Sequence, residues 1–585
     1  MIIDNTQYTL YYSDNIIVDS LNIIVNNIKQ NTVEIFVHNL NFDGIVIIDY
    51  ISKKFITFTL VAEKTNIYSI RIAYCNKTII FKCSYKIIPH SLKMLGEIEK
   101  FPKTEFPYKF VNENTLYYND KIPSKTYWEK NDFDAYILHN NIDNFNLKDI
   151  TIKYCLNDVI LTQKVLINLF KIIDEENESI RKKSLSAPSI SHKLFYKKYN
   201  ELNISKNLSL DEENYIRSSY FGGRCEVFGN IDSDEYVKYF DFSGMYGQCM
   251  LENFHNDIGT YCEPAEITNP GFYNINYNSD FSFLPILPSH YNEKLMFSNG
   301  EQKGTFWFEE IQLFEKMGGK VLKINNAITY NKYEQVFNQF IHNFNKIKEK
   351  GGYYKIFGKL MINSLYGSMA LKSKENFQYI TFSEEEFDNI YQKTDVENFY
   401  KINDCFVIII TSNYKAKHFF KKINSNELMT ERNVSYASAI ASKARIKLYK
   451  AMLNVIKDGG RLLYCDTDSI FAAYNKDDLR NKTNDFEWID FYSDSVFIAP
   501  KTYALKKEKE VIIKIKGIND KNVSFDELKE KFYMGNNKLK FENQLNFRKS
   551  DFSLKQFYID KEICLSSYNK RIFINNKKST IPTEY

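Results

Sequence analysis

The arrangement of apolar and polar positions divides the chain into two parts. Over the first 180 residues, short apolar runs typical of β-strands alternate with helical stretches, the clearest of which is residues 161–173. The apolar runs are residues 33–37, 45–48 and 78–81. This alternation predicts an α/β domain, and the polar segment RKKSLSAPSISHK at residues 181–193 indicates its end.

The second part of the chain mixes the same patterns over a longer distance. Strand-like runs occur at residues 236–242 and 461–474, and helical periodicity is clear near residues 333–350 and 354–365. The sequence contains no internal repeat and no low-complexity tract. The pattern therefore predicts a multidomain protein of the α/β and α+β classes.

Two carboxylates occupy the turn of a predicted β-hairpin. In RLLYCDTDSIFAAY, residues 461–474, two apolar runs flank Asp466 and Asp468. Acids two residues apart on a tight turn can both face a divalent cation if a third acid approaches from a neighbouring strand. The alternative interpretation is a polar turn without a ligand.

A third acid, Asp241, ends the aromatic strand-like run YVKYFD and precedes the turn SGMYG. A carboxylate at the end of a strand, followed by a turn with available N–H groups, suits a metal-bound triphosphate. The alternative is an aspartate that caps a helix.

The segment KIFGKLMINSLYG, residues 355–367, is predicted to be a helix that ends at Gly367. At 100° per residue, four side chains fall within an arc of about 80°. They are Lys355, Lys359, Asn363 and Tyr366. Leu360, Met361 and Leu365 lie elsewhere on the helix, so one face is polar and cationic and the other is packed. An amphipathic surface helix would explain the lysines but not the Asn and Tyr beside them.

Composition and charge exclude a disordered polyelectrolyte and identify one basic region. With 77 Lys+Arg against 73 Asp+Glu and 44% hydrophobic residues, the chain is no disordered polyelectrolyte. Residues 501–585 carry 19 Lys+Arg and 11 Asp+Glu, which predicts a polyanion contact there or, alternatively, a solvated surface.

The cysteines and the apolar runs bear on the compartment. Nine cysteines without a C-x-x-C pair favour a reduced compartment and no zinc ribbon. No apolar run approaches the ~20 residues of a membrane span, so no membrane association is expected. The start, MIIDNTQYTL, lacks targeting features, so we expect a protein that stays where it is made or one whose true N-terminus is missing.

In chain order, the run that ends at Asp241, the helix at residues 355–367 and the hairpin around Asp466 and Asp468 resemble motifs A, B and C of family B DNA polymerases. The family patterns are D-x-x-S-L-Y-P, K-x-x-x-N-S-x-Y-G and Y-x-D-T-D-S. Motif A departs from its pattern at Gly244, Met245 and Gly247, but Asp241 and Tyr246 match it. The departures put the rigidity of the turn in question more than its chemistry, since glycine leaves the backbone N–H groups available but less fixed.

Shorter elements resemble DNA-contacting motifs of the same family. YFGG, which contains Tyr220, Gly222 and Gly223, resembles the Y-x-G-G element that links the exonuclease and polymerase parts and touches the template. Arg445 resembles the arginine of T-x-x-A-R, although Ala441 stands where Thr is usual. The remaining matches are Lys501 and Tyr503 to K-x-Y near the primer terminus, and Ser91 and Leu92 to S-L-x-x-h, which holds single strands.

The first 180 residues resemble the 3′–5′ exonuclease of the family, with one motif missing. HNLNFDG supplies Asn39 and Asp43 of the second motif, and YCLND supplies Tyr154 and Asp158 of the third. No D-x-E pair precedes His38, so two carboxylates remain where a two-metal nuclease needs about four. We therefore predict weak or absent proofreading, which a D-x-E sequence in frame upstream would overturn.

The resemblance implies an RNase H-like exonuclease domain followed by a right-hand polymerase with palm, fingers and thumb. The implied divisions are 1–180 exonuclease-like, 181–260 linker and first part of the palm, 261–335 insertion of the terminal-protein region type, 336–370 fingers, 371–435 second insertion, 436–517 second part of the palm, and 518–585 thumb. The length and the two insertions resemble those of the protein-primed branch found in linear mitochondrial plasmids and bacteriophages.

The resemblance also implies a mechanism. Asp241 and Asp468, with Asp466 assisting, would hold two Mg²⁺ ions, for which Mn²⁺ can substitute. Lys359 and Lys355 would bind the phosphates of the incoming dNTP, Tyr246 would exclude a 2′-OH, and Asn363 and Tyr366 would line the nascent base pair. The implied partners are a DNA template-primer and a terminal protein. The implied location is the mitochondrion, as an organelle- or plasmid-encoded protein, and otherwise a virus or the cytoplasm.

Two alternatives stay open. A reverse transcriptase or viral RNA polymerase would also use paired acids on a hairpin, but it would not need the motif B helix or the upstream HNLNFDG. A decayed relic that binds DNA without copying it would fit the missing exonuclease motif and the altered motif A.

Overall fold

The structure is a computed structural model of the 585-residue chain. It describes residues 1–3, 6–11, 15–63, 66–129, 132–140, 144–204, 208–371, 376–411, 433–475, 487–508, 510–518, 523–534, 538–550, 553–564 and 570–584. Among these residues, no helix has both the length and the apolar character needed to cross a membrane.

The N-terminal part is built on a four-stranded sheet of order β3-β6-β5-β4, in which β3 runs parallel to β6. The N-terminal part as a whole contains eight strands within the described residues. They are β1 (Ile2–Ile3), β2 (Thr6–Gln7), β3 (Thr32–Val37), β4 (Phe58–Glu63), β5 (Asn66–Tyr74), β6 (Lys77–Cys83), β7 (Asn119–Asp120) and β8 (Phe145–Asn146). Its helices are α1 (Ile16–Asn27), α2 (Asp43–Lys53), α3 (Ser84–Ile87), α4 (Leu92–Glu99), α5 (Asp132–His139) and α6 (Leu147–Lys182), with 3-10 turns at Tyr108–Phe110 and Lys125–Tyr127.

One strand prediction in this part is wrong. Residues 45–48, expected to form a strand, lie in α2. Ile45, Ile47, Ile48 and Ile51 are buried whereas Val46 is exposed, which is the spacing of a helix face packed against the sheet. A short apolar run cannot by itself distinguish a buried strand from a buried helix.

The central part is an antiparallel sheet of order β24-β10-β23-β22-β9, which carries the candidate site. Its strands are β9 (Cys225–Val227), β10 (Glu235–Asp241), β22 (Arg461–Asp466), β23 (Ser469–Asn475) and β24 (Glu487–Tyr492). The largest hydrophobic core joins this sheet to its helices and to α6. The surrounding helices are α7 (Ala187–Leu194) with a π-helical turn at Phe195–Tyr199, α8 (Leu210–Arg217), α9 (Met245–Cys249), α10 (Phe308–Lys316), α11 (Asn338–Glu349), α12 (Gly352–Met369) and α14 (Val434–Lys457).

Two inserted sheets flank the centre. The first has the order β12-β17-β13-β16, and the second, of order β19-β21-β20, shares a hydrophobic core with the N-terminal sheet through Ile402, Cys405 and Val407. The elements are β11 (Phe254–His255), β12 (Thr260–Cys262), β13 (Gly271–Ser279), β14 (Ser289–Tyr291), β15 (Lys294–Met296), β16 (Gly300–Trp307), β17 (Lys320–Thr329), β18 (Tyr333–Glu334), β19 (Asn376–Thr381), α13 (Glu384–Lys393), β20 (Val396–Ile402) and β21 (Cys405–Thr411).

The C-terminal part returns to the central sheet. Arg571 in its last hairpin is buried and donates a hydrogen bond of 2.7 Å to the Phe283 carbonyl, and Thr580 hydrogen-bonds the Phe228 carbonyl at 3.1 Å. This hairpin thus fixes the end of the chain beside β9. The elements are β25 (Asp494–Ala499), β26 (Thr502–Lys507), β27 (Glu510–Lys514), α15 (Phe525–Tyr533), β28 (Lys538–Ser550), β29 (Ser553–Cys564), β30 (Arg571–Ile574) and β31 (Ser579–Pro582).

Candidate active site

The hairpin predicted around Asp466 and Asp468 is present. Strands β22 and β23 are joined by Thr467 and Asp468, and Thr467 has φ of +60°, an unfavourable backbone conformation for a β-branched residue. The Thr467 N–H donates to the Arg224 carbonyl at 2.8 Å, which holds the turn in place. Backbone strain of this kind is typical of functional turns.

The YFGG segment packs directly against this turn. A Cβ atom added to Gly223 would lie 2.8 Å from Cγ2 and Oγ1 of Thr467, closer than atoms of these types approach. A larger residue at 223 would therefore force the Thr467 side chain to move, so the YFGG segment packs closely on the side chain of the acidic turn.

Strand register places the acids together. Ser469 pairs with Asp241 on β10 and with Asp466 on β22, so the two acids flank one residue of the central strand. Directly paired residues point to the same face of a sheet, and two strand spacings put their Cα atoms about 10 Å apart. The Phe242 N–H donates to the Asp468 carbonyl at 2.9 Å, which ties the end of β10 to the turn.

The carboxylates of Asp241, Asp466 and Asp468 fit a divalent cation that is bound together with a substrate. Within the described residues, no three His, Cys, Asp or Glu side chains form a complete ion-binding group by themselves. Mg²⁺ usually takes one or two protein carboxylates and completes its shell with water and substrate phosphates. Two aspartates on one face and a third on the adjoining turn match that requirement.

The surroundings of Asp468 make its carboxyl group harder to ionise. Burial is the main cause that raises the pKa of its carboxyl, and the Asp466 charge raises it further, whereas the Lys359 cation acts in the opposite direction. Asp468 therefore lies within electrostatic range of both the second acid and the cationic helix α12.

A buried tyrosine, Tyr464, connects the hairpin to the K-T-Y segment. Its hydroxyl donates to the Asp466 carboxylate at 3.3 Å and accepts the Lys501 backbone N–H at 2.9 Å. The Tyr503 ring lies 5.3 Å from the Tyr464 ring. Lys501 is exposed, so its side chain is available to a ligand.

Helix α12 presents the face that its sequence predicts. Lys355, Lys359 and Asn363 are exposed, whereas Met361 and Leu365 are buried. Neither lysine makes an ion pair with any residue in the described part of the chain. The helix runs to Met369, two residues beyond the predicted end, because Gly367 adopts helical backbone geometry there.

Aromatic rings join motif A to this helix. Tyr246 stacks on Tyr366 with ring centroids 4.3 Å apart, and the Tyr366 hydroxyl lies 3.2 Å from that of Tyr220. Burial is the main cause that raises the pKa of Tyr246, so its hydroxyl stays protonated. The two tyrosines form a flat wall beside the acids.

The unusual glycines of motif A have structural reasons. Gly244 has φ of +69°, where glycine is favoured, and begins α9. A Cβ on Gly247 would lie 2.9 Å from Cγ2 of Ile362, so α9 and α12 approach more closely than a larger residue allows. Gly244 thus suits the backbone conformation of the turn, and Gly247 suits the close packing of α9 on α12.

Arg445 is buried behind the YFGG segment, and its contact with DNA stays a prediction. It is 5% exposed, and its guanidinium forms two hydrogen bonds of 2.7 Å with the Glu310 carboxylate. It also donates to the Phe221 carbonyl at 2.8 Å and to the Gly222 carbonyl at 3.4 Å. Arg445 therefore supports the YFGG segment from inside the protein. Of the four residues of that segment, only Gly222 is exposed.

Two of the exonuclease-like residues, Asp43 and Asp158, act on the same thiol, that of Cys155. Burial raises the pKa of its thiol, and Asp158 and Asp43 raise it further, so both acids lie within electrostatic range of one point. Lys103 approaches Asp158 at 3.5 Å and lies 4.9 Å from the Tyr154 ring centroid. A lysine thus lies beside Asp158.

The three other residues predicted for this part have structural roles of their own. Asn39 takes φ of +66° in the turn that precedes α2. Ser91 caps α4 by accepting the Met94 N–H at 3.3 Å, and Leu92 packs against the large core. Their contacts with single strands stay predictions.

Three residues of the site were not found from the sequence. Tyr464 belongs to the motif C pattern but was given no role, whereas Glu310 and Lys103 lie outside any motif. Glu310 is identified only by its contact with Arg445, and Lys103 only by its contact with Asp158. The sequence carries no signal for pairs so far apart along the chain.

Comparison with solved structures defines the class. The fold matches that of phi29 DNA polymerase in complex with primer-template DNA and incoming nucleotide, with a TM-score of 0.64 at 15% identity over 94% of this chain and 93% of that one. The chain thus has the fold of a multidomain DNA polymerase.

Sequence comparison gives the family. The family model for DNA polymerase type B, organellar and viral, matches residues 24–457, and the chain belongs to this family. Relatives named "Probable DNA polymerase" in Podospora anserina and Neurospora intermedia are 24% and 28% identical over 85% and 86% of this chain. They are covered over 44% and 55% of their own length, so the chain spans about half of each. A DNA-directed DNA polymerase of Enterobacteria phage PRD1 is 25% identical over 46% of the chain and 44% of its own length. The family predicted from the three motifs is confirmed.

Proposed function

We propose that this chain is a DNA-directed DNA polymerase that extends a primer by two-metal nucleotidyl transfer. The observation that carries the proposal is the pairing of Ser469 with both Asp241 and Asp466, which puts two distant acids on one face of a sheet. The family membership and the fold support the same function.

In the proposed reaction, Asp241, Asp466 and Asp468 hold two divalent cations, taken as Mg²⁺ with Mn²⁺ able to substitute. When bound, the cations activate the primer hydroxyl and neutralise the charge of the leaving pyrophosphate. The Phe242–Asp468 backbone bond and the Tyr464 hydroxyl fix the carboxylates before substrate arrives.

The unpaired cations of α12 then bind the nucleotide. Lys359 lies within electrostatic range of Asp468, and Lys355 is one turn away on the same exposed face. Because neither lysine is neutralised by a described acid, both can bind the triphosphate. Asn363 and Tyr366 would line the base pair, with Tyr220, Gly222, Gly223, Lys501 and Tyr503 along the template and primer.

We further propose that the polymerase starts synthesis from a protein primer. The family model is that of organellar and viral polymerases, and one relative belongs to a phage. We infer a terminal protein as primer and a linear plasmid or similar element as template. The inferred location is the mitochondrion, as an organelle- or plasmid-encoded protein, and otherwise a virus or the cytoplasm.

Primer extension tests the function. Purified chain with Mg²⁺, dNTPs and a labelled primer-template should lengthen the primer according to the template sequence, and chelation with EDTA should stop it. A chain that shifts the primer-template in a gel but adds no nucleotide would instead fit a non-catalytic relic. Equal extension on RNA and DNA templates would favour a reverse transcriptase.

Replacing Tyr246 with alanine should admit ribonucleotides. The ring lies flat against Tyr366, so its removal opens the wall that we place beneath the sugar. We expect the preference for dNTP over rNTP in kcat/KM to fall by about 10²-fold, as for loss of a well-packed contact of 2–3 kcal/mol. Tyr246→Phe should retain the preference, since it keeps the ring. Unchanged selectivity in Tyr246→Ala would remove the proposed role.

Exonuclease activity should be weak or absent. The described acids of that site are Asp43 and Asp158, and Lys103 lies 3.5 Å from the latter. We expect a 5′-labelled single strand to shorten no faster with wild type than with Asp158→Ala, in preparations that extend primers equally. Shortening that depends on Asp158 would contradict the prediction.

A further inference from the structure

A cavity of about 710 Å³ lies behind the candidate active site. It is bounded by α9, α10 and α14, and Phe242, the residue after Asp241, forms part of its wall. Its volume falls within the range of about 300–1,000 Å³ found for small-molecule sites. None of the side chains assigned above to metal or nucleotide lines it, so it is separate from that site.

The cavity carries more positive than negative charge. Four lysines and two glutamates line it, and one lysine, Lys443, pairs with both acids. Its ammonium lies 3.1 Å from the Glu252 carboxylate and 2.5 Å from that of Glu309, and it is 2% exposed. Lys443 thus offsets one of the two negative charges, and three further lysines remain against the other.

The other three lysines are available to an anion. Lys447 and Lys450 lie one turn apart on α14, and Lys316 ends α10 on the opposite wall. None makes an ion pair with a residue that the structure describes. Three ammonium groups on the walls of one cavity repel one another, and a polyvalent anion bound between them would offset that repulsion.

The rest of the lining suits a base and sugar. Phe242, Leu313 and Ile446 provide apolar surface. Three amide side chains, which can both donate and accept hydrogen bonds, lie among them. They are Gln248, Gln312 and Asn454. Apolar walls with a few amides and a cationic group match the chemistry of a nucleotide better than that of a bare phosphate or an extended strand.

We propose that this cavity is a second nucleotide site, which binds a nucleoside 5′-triphosphate through Lys316, Lys447 and Lys450. Its occupant would contact Phe242, whose backbone N–H is bonded to the Asp468 carbonyl. Occupancy is thereby connected to the acidic turn by one residue. Binding at this site does not require catalysis, so it can be tested apart from the polymerase function.

Equilibrium dialysis with radiolabelled ATP in the presence of EDTA tests the proposal, because EDTA removes the metal that the catalytic site needs. We expect one ATP bound per chain. Lys316→Glu and Lys450→Glu, on opposite walls, should each weaken binding by about tenfold or more, as for loss of a charge-assisted hydrogen bond. Lys457→Glu, an exposed change on α14 outside the cavity, should retain wild-type affinity.

Several outcomes would overturn the proposal. They are no binding by wild type, equal loss in Lys457→Glu, and loss in Lys359→Ala, which would assign the binding to the catalytic site. Pyrophosphate that competes as strongly as ATP would refute the nucleoside part, and weaker competition would support it. Displacement by a single-stranded oligonucleotide but not by unlabelled ATP would assign the cavity to a strand. Circular dichroism melting of each variant shows whether the fold is retained.

Discussion

Replacing Asp466 with alanine is expected to reduce primer extension by about 10³-fold or more. The residue ends β22 on the same face as Asp241, and its carboxylate accepts the Tyr464 hydroxyl. Without it, one of the three acids that hold the cations is lost, and a loss of about 4 kcal/mol of transition-state stabilisation corresponds to this factor. Single-turnover incorporation of one labelled dNTP at saturating Mg²⁺ measures the effect.

Asp458→Ala is the matched control. Asp458 follows α14 directly, is exposed, and lies eight residues before Asp466 in the sequence. The control should incorporate nucleotide at the wild-type rate, and both variants should melt at the wild-type temperature. Equal incorporation by Asp466→Ala and wild type would dismiss the assignment of the site.

The central parts of the site could be predicted from sequence because they depend on local pattern. A two-residue acidic turn between apolar runs determines the hairpin, and helical spacing determines which side of α12 is exposed. The strand that ends at Asp241 was likewise recognisable. What the pattern could not give is the register, and register alone shows that Ser469 lies between Asp241 and Asp466.

Two features of the structure depend on burial that the sequence patterns do not reveal. Arg445 matches a family motif and was expected at DNA, yet its partner Glu310 lies 135 residues away and holds it inside the protein. Residues 45–48 form a helix because the adjacent sheet covers one side of it, which a four-residue window cannot reveal. In both cases the deciding contact is distant in sequence.

The acidic turn is therefore held by a chain of buried contacts. Glu310 fixes Arg445, Arg445 holds the Phe221 and Gly222 carbonyls, and Gly223 packs on Thr467 beside the acids. The Arg445–Glu310 pair is nearly inaccessible to solvent, so it is only weakly screened by salt. A change in the first pair should consequently affect both stability and the site.

Replacing Arg445 with methionine should destabilise the protein by about 3–5 kcal/mol, because the Glu310 carboxylate is left buried without its cation. The first transition in urea unfolding, followed by circular dichroism, measures the loss. The double change Arg445→Met with Glu310→Leu should recover most of it, since no buried charge then remains unpaired. Lys53→Met, which breaks the exposed Lys53–Asp49 pair, should cost about 1 kcal/mol or less.

The same variants distinguish bracing from direct DNA contact. If Arg445 braces YFGG, the double variant should regain both stability and DNA affinity in a salt titration, because the segment is again supported by packed side chains. If Arg445 instead binds a phosphate, the double variant should regain stability but stay weak in DNA binding, and its salt dependence should fall by about one phosphate contact. The second result would restore the role predicted from the sequence and would require Arg445 to leave its buried position when DNA binds.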